Sequence, residues 1–250
     1  MTPEAFAAAQ AAGRKQAIAA FPYERVAVPG SKALEEWRKL RSAGPGWPVI
    51  VGDETELGVV AEQFSRNDPA SNPMASLPDR SVAQILEAAR KVRLPDDLRR
   101  WHGTETGEAD SPPQGSLTEP PATPRDGPDI IRVLGGGVVP EVFLVLIPTD
   151  KSYEVPAYLK WGNWNSCPPP EFHVAMLKSW HERFGVELVG IGGSVMDLLA
   201  SRLPQTFGEA MLLAEEEYLY CSDSIDQGTG TVSGRAAEFL ADPWWDLWWD

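Results

Sequence analysis

The sequence predicts an α+β protein: a mixed or antiparallel sheet with helices packed on it, joined to a helical and α/β N-terminal region. Three observations carry that reading. Apolar runs at residues 47–51, 142–147 and 186–191 have strand length and are bounded by glycine, proline or polar residues. Stretches opened by a capping side chain, Asp53 before residues 54–64 and Thr206 before a run ending at about Tyr220, have helix length. Residues 103–128 hold six prolines, four glycines, five acidic residues and one arginine, with Leu117 as the only large aliphatic. Such a segment cannot bury enough apolar surface to offset its ordering entropy. It is expected to be a linker or surface excursion between an N-terminal α/β region, residues 1–102, and a C-terminal α+β domain, residues 129–250.

In chain order, residues 4–20 are an alanine-rich helix, and residues 23–28 a short strand stopped by Pro29 and Gly30. Ser31 is expected to cap a helix to about Ser42, with Leu34, Trp37, Leu40 and Arg41 at helical spacing. Residues 47–51, Gly52 and Asp53 then form a strand, a turn and the start of a helix. Asp79 or Ser81 opens another helix to about Val92, and residues 95–102 add one or two turns. Beyond residue 128, residues 130–134 and 142–147 read as strands around Gly135, Gly136 and Gly137. No Gly-Lys-Ser/Thr follows, so a hairpin turn is favoured over a phosphate cradle. Residues 186–191 and 195–199 are strands around Gly192 and Gly193, and Met196 stands where a dinucleotide fingerprint needs its third glycine. Pro204 closes that pair, and residues 233–240 form a last helix. The run 142–147 lacks alternation, so both its faces must be covered and it belongs inside the sheet.

The charge balance, 22 Lys+Arg against 36 Asp+Glu, gives a net charge of -14. That field repels phosphate and anionic lipid, so neither nucleic acid nor a membrane is an expected partner. The acidity belongs to the second half: residues 1–125 hold 15 basic and 17 acidic side chains, residues 126–250 hold 7 and 19. No apolar run approaches the roughly 18 residues needed to span a bilayer. Glu4 stands where a secretory signal carries positive charge, and Arg14 and Lys15 lie behind the apolar stretch, so a cytoplasmic location is expected. Cys167 and Cys221 form no CxxC motif. In that location they are expected to stay reduced, and with few strong ligands available neither a metal nor another cofactor is expected.

Two stretches concentrate chemistry. The first runs from Glu154 to His173 and includes Trp161, Trp164, Asn165 and Cys167; three prolines before Glu171 predict a helix starting at Pro170. Leu177, Trp180 and Phe184 follow His173 by 4, 7 and 11 positions, which places the four within roughly 60° of one another, His173 on the apolar face and Glu171 and Glu182 toward solvent. The second stretch holds Glu217, Tyr220, Cys221, Asp226 and Gln227. A candidate ligand-binding cleft is expected between the two, formed by Trp161, Trp164, Asn165, Cys167, His173, Tyr220, Cys221, Asp226 and Gln227. The final residues 244–250 hold four of the ten tryptophans; as a strand, Trp245, Leu247 and Trp249 share one face, and at least one face must be buried.

Pro156, the run from Trp161 through Asn165, Ser166 and Cys167, then Glu171, His173, Trp180, Gly185, Glu187, the Glu217 to Cys221 run, Asp226 to Gly228 and the terminal Trp248, Trp249 and Asp250 resemble the bacterial domain-of-unknown-function 4253 family. The resemblance spans about residues 142–250, departs at Phe184 and at residues 222–224, and brings no activity with it. It implies one C-terminal domain.

Two functional classes follow. One is a non-catalytic binding domain with an acidic surface and an aromatic cleft, taking a basic protein or a small molecule; immunity proteins against basic toxins are the class analogy. The other is a hydrolase or transferase in which Cys167 or Cys221 attacks, His173 is the base and Asp226 orients it, or a zinc site of Cys167, His173 and Cys221.

Overall fold

Six strands form one sheet in the order β1-β3-β2-β4-β5-β6: β1 (Glu24–Pro29), β2 (Trp47–Ile50), β3 (Glu141–Ile147), β4 (Glu187–Ile191), β5 (Val195–Leu199) and β6 (Trp244–Trp248). They are taken from a computed structural model that describes residues 2–69, 72, 75, 77–105, 112–115, 124–133 and 137–250. Neighbours are antiparallel except β2 and β4, which run parallel with Ile50 opposite Gly190, so the sheet is mixed.

β3 lies inside the sheet, as its apolar run requires: Val142, Leu144, Val145 and Ile147 are buried. It pairs with β1 on one side (Val26 opposite Leu144) and with β2 on the other (Val49 opposite Val145). Both partners come from before residue 103, so residues 103–128 divide the sequence but not the sheet. Residues 106–111 and 116–123 of that stretch lie outside the described residues.

Two local expectations are corrected. Residues 130–133 of the strand expected at 130–134 are not a strand: residues 129–131 form a 3-10 turn, followed by a single bridge between Arg132 and Val138. The Asp197 carboxylate captures the backbone N–H groups of Asp129 and Ile130 at 2.8 and 2.9 Å, the turn donors a strand would have used. Leu134, Gly135 and Gly136 fall outside the described residues. Ser31 does not cap a helix either. It sits in the 3-10 turn Gly30–Lys32, which Gly30 N anchors to Pro140 O at 3.2 Å, and α2 (Ala33–Ala43) starts one turn later.

The remaining helices follow their caps. α1 (Pro3–Ala20) opens on Thr2, and α3 (Glu54–Ser65) on Asp53, whose Oδ1 accepts from Thr55 N and Glu56 N. Ser81 and Gln84 cap α4 (Val82–Ala89) reciprocally, ahead of α5 (Asp96–Glu105). The short α6 (Val155–Leu159) leads to α7 (Pro170–Phe184), which starts on proline and stops at Gly185. Thr206 and Thr231 cap α8 (Phe207–Tyr220) and α9 (Val232–Ala241). α7 buries His173, Leu177, Trp180 and Phe184 on one face. Its Trp180 and Phe184 rings meet Trp245 of β6 edge-on at 5.9 and 5.6 Å.

β6 is an edge strand whose outward carbonyls are occupied by side chains. Arg125 donates to Trp244 O, Arg235 to Asp246 O at 2.7 Å and Cys221 to Trp248 O at 2.9 Å. Arg235 is itself buried and bidentate on buried Glu217, at 2.6 and 2.7 Å.

Candidate functional site

The two chemistry-bearing stretches converge, but as core. Lys160, Gly162, Asn163 and Asn165 all have positive φ, so the loop coils back over α7. Gly162 is required there: a Cβ would stand 2.2 Å from Pro168 O and 2.6 Å from His173 Nε2. Trp161 is buried under this loop, donates Nε1 to Gly192 O at 2.8 Å and meets the Trp164, His173 and Trp249 rings edge-on. His173 Nδ1 lies 2.5 Å from Tyr220 Oη, and Nε2 lies 3.5 Å from Cys167 Sγ.

Among the candidate residues Trp161, Cys167, His173, Tyr220 and Cys221 are all buried, Trp164 is half-buried, and Asn165, Asp226 and Gln227 are exposed. Asn165 donates to Asp250 O, Gln227 to Asp223, and Asp226 accepts from Tyr218 Oη at 3.3 Å. Glu171 does not point freely into solvent as its helix position suggested; Arg80 grips it with both Nη groups, at 2.9 and 2.5 Å.

This geometry does not assemble the nucleophilic triad. Tyr220, not Asp226, holds His173, and the rings packed on the imidazole leave no path for substrate. Burial lowers His173 to about 3, against a weaker upward pull from the Pro168 carbonyl. Burial pushes the Cys167 thiol well up, with Cys221 adding to the rise. A neutral imidazole beside a protonated thiol is the reverse of an activated dyad. With Nε2–H toward the Pro168 carbonyl, Nδ1 accepts the Tyr220 hydroxyl, and the group is a satisfied core histidine. Cys221 Sγ is engaged with Trp248 O and Ser224 Oγ, and among the described residues no group of three His, Cys, Asp or Glu side chains is placed to hold a metal ion.

The open feature lies on the opposite side of the sheet's second half. The parallel strands β2 and β4 end beside the start of α3, the location where α/β sheets form ligand crevices. A cleft of about 560 Å³ opens there, lined by Asp53 and Glu56 from α3's first turn, Asp129, Arg132 and Val133 from the 129–133 segment, and Val195 and Trp248 from β5 and β6. Glu56 Oε2 accepts from Gly193 N at 2.6 Å and ties α3 to the β4–β5 turn. Ile130 fills the space above Gly190 and Gly192, so the 129–133 segment forms the far wall. Beneath it, Asp197 and Asp246 stand directly opposite each other on β5 and β6. Two like charges in that position repel. Burial pushes Asp197 up to about 7, against the two backbone donors that pull it down. Burial also acts upward on Asp246, but Arg235 and Arg125 outweigh it and hold that carboxyl below its ordinary value.

Asp197, Arg235, Arg125 and Asp129 escaped the sequence reading. Asp197 carried a usable signal: an acid in the middle of the apolar strand Val195–Leu199 must be paired, desolvated or functional.

Residues 143–250 match the model of a family described as a domain of unknown function, DUF4253. The matched segment begins inside β3 and contains β4, β5 and β6, but not β1 and β2, between which β3 is held. No curated protein and no solved structure matches the chain. No helix among the described residues is long and apolar enough to cross a membrane.

Proposed function

We propose that this protein is a non-catalytic binding protein that takes a basic polypeptide segment at the cleft between α3 and the 129–133 segment. The observation that carries this reading is the combination, in one open cleft, of the Asp53 and Glu56 carboxylates with apolar walls from Val133, Val195 and Trp248; Asp129 and Arg132 also line it, but they pair with each other at 3.5 Å, and Asp129 with Arg125 at 3.0 Å. A lysine or arginine side chain matches that lining, its aliphatic stem against the valines and its charge near the carboxylates. Val133, 45% exposed at the cleft, adds apolar surface with no cover among the described residues. The net charge of -14 supports the reading by steering a cationic partner at long range. An aromatic cleft at His173 does not support it, because those rings are the core.

Fluorescence anisotropy with labelled peptides of alternating arginine and leucine tests the proposal. Binding at low ionic strength is expected, weakening as salt is added. Val133→Lys places a cation on the rim without disturbing a buried group, and should weaken binding at least about tenfold. Absence of binding at low salt, or equal binding by Val133→Lys, would overturn it.

A further inference from the structure

Where α4 and α5 meet the start of α7, the charge balance of the chain reverses. Residues 80–100 hold six basic and three acidic side chains, which leaves 16 and 33 elsewhere from totals of 22 and 36. An open groove of about 580 Å³ lies on this surface, lined by Lys91, Val92, Arg93, Arg100, Trp101 and Phe172 among others. Trp101 and Phe172 are half-buried, with ring centres 6.2 Å apart, and give the groove an aromatic wall.

Carboxylates are scarce here, and two of them each serve two cations. Asp97 accepts from Arg93 Nη2 at 3.4 Å and from Arg100 Nη2 at 2.9 Å, and its other oxygen accepts from Arg93 N at 2.7 Å. Glu87 is shared between Arg90 at 3.0 Å and Lys91 at 3.3 Å. Glu171, the other acid on the groove, is gripped by Arg80. A guanidinium carries five N–H donors, so Arg93 and Arg100, held beside each other by one carboxylate, keep most of theirs for a further acceptor. Their side chains are 74% and 66% exposed, and that of Lys91 is 72% exposed, so a ligand in the groove reaches all three.

We propose that this groove docks an acidic polypeptide segment in which an aromatic side chain is flanked by aspartate or glutamate, the ring against Trp101 and Phe172, one carboxylate on the Arg93 and Arg100 pair and another on Lys91. Charge complementarity selects the partner: a second carboxylate gives Arg93 and Arg100 one acid each. A nucleic-acid strand offers the same combination of anions and rings, but it is a long polyanion and would extend past the groove over the acidic remainder of the chain. A short peptide confines its charge to the basic patch, within a screening length of about 8 to 10 Å. The groove shares no lining residue with the acidic cleft, and neither reading requires the other.

Fluorescence anisotropy of the full chain with a labelled Asp-Glu-Phe-Asp-Glu peptide, its Asn-Gln-Phe-Asn-Gln counterpart and an oligothymidylate tests the inference. The acidic peptide is expected to bind at low ionic strength and to weaken as salt is added, with the neutral peptide and the oligothymidylate each at least about tenfold weaker. The double variant Arg93→Gln with Arg100→Gln alters two exposed side chains and should weaken binding of the acidic peptide by a similar factor, with an unchanged far-ultraviolet spectrum. Val133→Lys, at the other cleft, should bind this peptide as the unaltered chain does, which separates the two readings. The comparison of probes uses the unaltered chain, so it stands even if the double variant misfolds. No binding of the acidic peptide at low salt, equal binding of the neutral peptide, oligothymidylate binding as tight as the acidic peptide, or undiminished binding by a folded double variant overturns the inference.

Discussion

Tyr220 closes the hydrogen bonding of His173 from 47 positions away, and its hydroxyl is the only polar group of the aromatic cluster aimed at Nδ1 among the described residues. Tyr220→Phe keeps the ring packing and strands that nitrogen, so it should cost about 1 to 3 kcal/mol, measured by urea unfolding. His173 also sets a pH dependence. Its folded value of about 3 lies below the ordinary 6.5, so the unfolded chain takes up a proton that the fold refuses. The stability this group contributes is complete above about 6.5 and is lost as pH falls through that window toward 3, at up to about 1.4 kcal/mol per pH unit. His173→Gln should be less stable at neutral pH and lose stability less steeply over that range. Asp197 has the opposite sign: its carboxyl is raised to about 7, so its contribution is present near pH 4 and is lost as pH rises through 7. Spacing alone placed His173 on the buried face of α7. It could not name Tyr220 as partner in place of Asp226, because side chains so far apart in sequence meet only through the packing of α7 on α8.

Asp53, Ser81 and Thr206 open helices and residues 142–147 are interior strand, so a cap or an uninterrupted apolar run was legible at these places, though not at Ser31, which sits in a 3-10 turn. The expected strand at residues 130–134 was misread at its start because the backbone N–H groups of Asp129 and Ile130 answer to Asp197, 68 and 67 positions later. The β6 edge shows the same dependence on distant groups. Arg235→Met should destabilise by about 3 to 5 kcal/mol, since it leaves the Glu217 carboxylate buried and unpaired. The double variant Arg235→Met with Glu217→Leu should recover a large part of that loss in the same denaturation assay. Deleting residues 244–250 removes Trp245 and Trp249, each 2% exposed, and should abolish cooperative thermal unfolding, one such side chain alone being worth about 3 to 5 kcal/mol.

The division at residues 103–128 was the strongest compositional signal in the chain, and it describes connectivity, not the sheet. Composition reports where a chain cannot bury apolar surface; it is silent on which strands meet across the gap. Because β2 lies between β3 and β4, residues 124–250 expressed alone would expose both as bare apolar borders. That fragment should aggregate or elute as large species on size exclusion, and coexpression with residues 1–105 should restore a soluble complex. Within the intact sheet the two borders differ. The outward carbonyls of β6 are engaged by Arg125, Arg235 and Cys221, whereas β1 carries no side-chain hydrogen bond on its backbone carbonyls among the described residues. Two copies that join border to border must therefore both offer β1. Such a contact is self-complementary and lies on a two-fold axis, so it closes at a pair; the head-to-tail chain that would grow into a filament needs a second open border, and among the described residues this sheet has only one.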